Sequence, residues 1–227
     1  VSQPKPDPKS EPLKQKRRRG RELALQALCI LDAKNPGFNV TLFRLRERAL
    51  IAEAELCFAD GNTEGARSAV SALLTLDSKH TLGAEYQRAV DGKGPLPIPP
   101  GPDERVELEA TRGTSDELAF AETLIRGVTD HKDEVDKLLG AASVNWRVAR
   151  MAMVDRNILR IATFELSHLK EIPPRATLNE AIEIGKRYGT SDSSAFINGI
   201  LDKIATQVRG VPGQLGGIRP QTPTSDD

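Results

Sequence analysis

The chain has 227 residues, 38% of them apolar and only 4% aromatic, with 32 basic and 32 acidic side chains that cancel. Ala, Leu and Ile supply most of the apolar bulk, a mix that favours helices over sheets. The zero net charge argues against a general nucleic-acid coat, and no run of about 18 apolar residues is present to span a membrane.

Residues 1–13 hold four prolines and read as a disordered tail, here bounded at residue 15. The tail is polar, with no apolar stretch behind it, so it is not a secretory signal. Lys14–Arg21, KQKRRRGR, carries six positive charges and no acid. A helix follows directly, with Leu23, Ala27, Ile30 and Leu31 at helical spacing, and Asn35-Pro36-Gly37 ends it. A second helical pattern covers 40–59, and Asp60-Gly61-Asn62 makes a turn. Thr63 is placed to cap a third helix to about Leu76, and a shorter one covers 81–90. Five prolines in Gly92–Pro102 predict an extended linker, continued to Gly113.

Helical sequence resumes at Thr114, where Thr114-x-x-Glu117 has the form of a capping box. After a short helix at 144–151, Val154–Leu169 is apolar on most faces, as in a helix at the centre of a bundle. Pro173-Pro174 stops it. Thr177-x-x-Glu180 reads as a second capping box opening 178–188, and Asp192 or Ser191 caps a last helix faced by Ile197, Ile200, Leu201 and Ile204. The domain reading is a helical body of 16–35 and 114–208, a helical insertion at 36–91, a linker at 92–113 and a tail at 209–227.

The basic run sits where a helix disfavours it. A helix N-terminus carries about half a positive charge, and each cation there loses about 0.3–1 kcal/mol at low salt. Four of the six charges are Arg, whose planar fork pairs with phosphate and stacks on bases. Placed beside free helical N–H groups, this pattern points to a polyanion, and single-stranded RNA suits it.

RRRGRELALQAL (Arg17–Leu28) resembles the arginine-rich first helix of the NusB family of transcription antitermination factors. ILRIATFEL (Ile158–Leu166), IPPRATLNEAIEIGKRYG (Ile172–Gly189) and SDSSAFINGILDKIA (Ser191–Ala205) follow the family pattern in order. The resemblance implies an all-α fold of two helical subdomains without catalytic activity. It implies binding to boxA-type ribosomal RNA leaders with a small-subunit ribosomal protein in the NusE role, joined to RNA polymerase. By matching position, Lys16, Arg17, Arg18, Arg19 and Arg21 contact RNA, with Gln26 beside them, and Asp192 and Phe196 form a second patch. The family often reads DSHKF where this chain has Asp192–Phe196 as DSSAF, so that patch lacks a His and a Lys. Many members carry Tyr where Cys29 stands near the partner surface. The stretch 36–113 has no family counterpart of its length.

The remaining residues point away from catalysis. His80, His131 and His168 lack metal-ligand spacing along the chain, and no metal or cofactor is expected. Cys29 and Cys57 lack CxxC spacing and suit a reducing cytoplasm. Asp155 and Glu165 are expected in structural ion pairs with Arg156 or Arg160. Gly199, inside the last helix, is expected at a close helix–helix contact. Leu50–Ser78 is similar to one tetratricopeptide hairpin, which must dock on the body, on another chain, or on its own copy in a homodimer. The competing reading is therefore a protein–protein adaptor built on that hairpin. An RNA-methyltransferase arrangement is not expected, since no nucleotide-binding sheet follows.

Overall fold

The computed structural model describes residues 10–143 and 146–210, with side chains from Leu13 onward. The expected tails at 1–9 and 211–227, and the first two residues of the expected 144–151 helix, lie outside the described residues. Ten α-helices and one 3-10 turn (Val148–Arg150) make up the described secondary structure. In chain order they are α1 (Ser10–Lys34), α2 (Phe38–Ala59), α3 (Thr63–Leu76), α4 (Thr81–Val90), α5 (Pro102–Thr111), α6 (Ser115–Asp130), α7 (Lys132–Ala142), α8 (Met153–His168), α9 (Pro174–Tyr188) and α10 (Ser193–Arg209). None is long and apolar enough to cross a membrane.

Helix α8 is the axis of the main core. Asp155 and every residue from Asn157 to Leu166 are buried. Around it pack Leu23, Ala24 and Ala27 of α1, Leu124 and Ile125 of α6, and Val135 and Leu139 of α7. Leu178 and Ile184 of α9 and Ile197, Leu201 and Ile204 of α10 complete the shell. A smaller core of Ala54, Cys57, Ala66, Ala69, Val70, Tyr86 and Val90 joins α2, α3 and α4. Helix α2 belongs to both, because its Ala49 and Leu50 enter the main core.

Several local expectations need correction. Helix α1 is described from Ser10, inside the expected tail. Part of the expected linker is α5. Pro102 opens that helix at its first position, with Gly101 as N-cap and Asp103 and Glu104 in the first turn. There proline's fixed φ favours the helix it would otherwise break.

Asn62, not Thr63, caps α3 by accepting from the Gly65 N–H at 3.0 Å. Thr177 and Glu180 cap nothing, because α9 already begins at Pro174. At Thr114 only the Glu117 half of the box forms, its carboxylate accepting from the Thr114 N–H at 2.8 Å, while the Thr114 hydroxyl has no partner. Asp192 holds the N-cap position of α10, but its side chain makes no capping bond. The Ser193 hydroxyl oxygen accepts from the Thr190 N–H instead, at 2.8 Å.

The ion pairs also differ from expectation. Arg156 and Arg160 both reach Asp32 at 3.0 Å, and Arg160 also reaches Asp136 at 2.8 Å. These bonds fasten the end of α1 to α7 and α8. Glu165 pairs elsewhere, and the Asp155 Oδ1 has no partner. Gly199 faces open space, so close packing does not explain it. The tight α9–α10 approach is at Gly185, where an added Cβ would meet Ile197 Cδ1 at 2.6 Å.

Candidate nucleic-acid interface

Successive residues of a helix turn by about 100°, so the basic run cannot present one face. Lys14 is exposed. Lys16 Nζ donates to Asp116 at 2.8 Å across exposed surface. The Arg17 guanidinium lies 5.7 Å from the centroid of the Phe120 ring. Arg18 grips Glu180 with Nε and Nη2 at 2.6 and 2.8 Å, and Glu180 is almost fully buried. Arg19 donates to the Arg112 carbonyl at 2.8 and 2.6 Å and to Glu22 at 3.1 Å.

Arg21 is a correction. It is 3% exposed and locked onto Glu165 by two bonds of 2.7 and 2.8 Å. Thr177 donates to the same carboxylate at 2.9 Å. A guanidinium so enclosed does not reach a polyanion outside; it joins α1 to α8 and α9. Gln26 is half-buried and donates to the Ala110 carbonyl of α5 at 3.0 Å across exposed surface. Gly20 permits this close seat of α1, since a Cβ there would meet Phe120 Cδ1 at 2.8 Å.

The structure adds cations that the run did not contain. An open groove between α1, α5 and the end of α9 is lined by Lys16, Arg19, Arg105, Arg112 and Arg187, with Glu22, Glu109 and Glu117 among them. Arg187 donates to Glu22 at 2.9 Å, with its own side chain 63% exposed. Arg112 is held by Glu53 at 2.8 Å. Sequence reading missed these three arginines because isolated charges on separate helices carry no local pattern.

The second patch gathers aromatics. Phe196 is half-buried, and Trp146 packs edge-on against it with centroids 5.9 Å apart. Trp146 is 57% exposed, an unusual state for the chain's single tryptophan. Asp192 is exposed at the same corner. Burial, reinforced by Glu53, pushes the Cys57 thiol up to about 11 and so disfavours its thiolate. Burial also raises Cys29.

Fold and site together define, among the described residues, an all-helical protein with a cation-lined groove and an exposed aromatic corner. Residues 103–206 match the family model described as the NusB family. "Transcription antitermination protein NusB" of Myxococcus xanthus (strain DK1622) is 45% identical over 97 residues, 43% of this chain and 69% of that protein. The protein of the same name from Geobacter sulfurreducens is 50% identical over 98 residues, 43% of this chain and 71% of that protein. The solved structure of T. maritima NusB superposes with a TM-score of 0.50 and 26% identity over 84% of this chain and 91% of its own. The chain belongs to the NusB family, and its role lies in transcription antitermination. The matched stretch begins within α5, so α1 lies outside it.

Proposed function

We infer that the protein binds single-stranded RNA of the boxA type in ribosomal RNA leaders. It acts there with a small-subunit ribosomal protein, and through that pair with RNA polymerase. The observation that carries this reading is the convergence of Lys16 and Arg19 of α1 with Arg105, Arg112 and Arg187 on one open groove. Phosphates enter the groove and bases stack at Phe196 and Trp146. Lys14, Lys16 and Arg17 meet the strand first. Arg18 and Arg19 are pre-oriented by Glu180 and the Arg112 carbonyl, so each loses little entropy when a phosphate adds to or replaces those partners. Asp192 opposes a phosphate at its corner, so the aromatic patch contributes stacking rather than charge.

Gel-shift titration with a boxA-type single strand, and with the same strand annealed to its complement, tests the proposal. The single strand should bind more tightly, and the small-subunit ribosomal protein should tighten it further. Trp146→Ala should weaken the single-strand complex by about 1–3 kcal/mol, the usual worth of one stacked base. Equal affinity for the duplex, together with an unaffected Trp146→Ala, would sink the reading.

A further inference from the structure

His131 and His168 are 37 residues apart in the sequence, yet their rings stack with centroids 4.2 Å apart and planes within 10°. His131 sits at the α6–α7 corner, and His168 is the last residue of α8. Glu134, in the first turn of α7, joins them, its Oε2 3.5 Å from His168 Nε2. One ligand atom from each of the three residues lies within 4.8 Å of the other two.

We propose that His131, Glu134 and His168 bind a divalent transition metal ion of the zinc class, which clamps the α6–α7 corner to the end of α8. Two imidazoles and a carboxylate form a borderline donor set that suits Zn²⁺ or Co²⁺ and not Mg²⁺ or Ca²⁺, which take oxygen ligands. With bonds of about 2.0–2.1 Å, neighbouring ligands of a tetrahedral zinc are about 3.3 Å apart. The His168–Glu134 separation of 3.5 Å already meets that edge. The remaining gap closes by rotation of Glu134, which is 56% exposed, and of both imidazoles, since parallel stacked rings cannot both aim an in-plane nitrogen lone pair at one ion.

One further observation favours a cation. The helices α6 and α8 both end here, and the negative ends of two helix dipoles outweigh the positive start of α7. Three protein ligands leave the fourth position to water.

Calorimetric titration of the chelator-stripped full chain with Zn²⁺, and visible absorption with Co²⁺, tests the site. One Zn²⁺ per chain with a micromolar or tighter Kd is expected, with a rise in Tm and no response to Mg²⁺. His168→Phe keeps a ring in the stack beside Phe164 but removes both nitrogens, and should weaken Zn²⁺ about tenfold or more while leaving the circular dichroism unchanged. Glu134→Ala, on an exposed side chain, gives the same reading without disturbing the ring stack. Absence of saturable Zn²⁺ uptake by the wild-type chain would overturn the proposal. So would His168→Phe and Glu134→Ala variants that bind as tightly as wild type, since the ion would then sit elsewhere.

Discussion

Within one short basic run, burial separates two kinds of arginine. Arg21 and Glu165 form an enclosed pair, with Thr177 satisfying a further carboxylate lone pair. Removing one partner strands the other charge in the core. Arg21→Ala is therefore expected to lower unfolding free energy by about 3–5 kcal/mol in urea titrations. Lys14→Ala, on an exposed side chain, should change it by less than about 0.5 kcal/mol. Comparable effects of the two would refute the division. The division is legible in retrospect: Arg21, Leu25 and Leu28 fall at i, i+4 and i+7, the apolar face of α1. The density of positive charge masks that register. Glu165 carries the same signal, standing inside the buried run of α8.

Asp32 shows how a residue at the end of a helix couples to its neighbours. Burial alone would raise its carboxyl, but hydrogen bonds from Arg156 and Asn157 and the charge of Arg160 outweigh it and hold the carboxyl below the ordinary 3.8. A carboxyl lowered on folding stabilises the fold fully above its unfolded value, and that stability is lost as pH falls through the folded value. Asp32→Asn should therefore destabilise the chain clearly near pH 7 and much less at about pH 3, in denaturant titrations at both. An equal loss at both would show that packing, not ionisation, carries the contact.

At the scale of whole helices, periodicity located α6, α8 and α10 well, because each buries a wide apolar stripe. Helix α5 escaped because it buries no residue and so has no stripe to read. Its start signal, Gly101-Pro102 followed by Asp103 and Glu104, stands inside a proline-rich stretch whose composition predicts a linker. The same limit explains Thr177-x-x-Glu180: a capping pattern also fits two buried polar residues bound to α8 and α1, and only the position of the preceding Pro174 decides. Gly199 is the clearest unused position. It is exposed, helical and open, so Gly199→Ala should raise stability by up to about 1 kcal/mol. A destabilised variant would mean that the backbone there needs glycine for a reason that the helix geometry does not give.

Across the molecule, the fold was legible wherever contacts are local, and the site was not. The basic run and the Asp192–Phe196 corner stood out in the sequence. The groove joins Lys16 and Arg19 to Arg112 and Arg187, residues roughly 90 to 170 positions away, and no spacing rule reaches that far. The most direct measurement of the central claim is the salt dependence of binding to a boxA-type single strand. Each phosphate neutralised contributes a log–log slope of roughly −0.7, so three to five contacts give about −2 to −3.5 for the wild-type chain. Replacing Lys14, Lys16 and Arg17 together by Ala should flatten that slope by about 2 and weaken binding, with the fold intact. An unchanged slope and affinity in that triple variant would contradict the placement of RNA on this face.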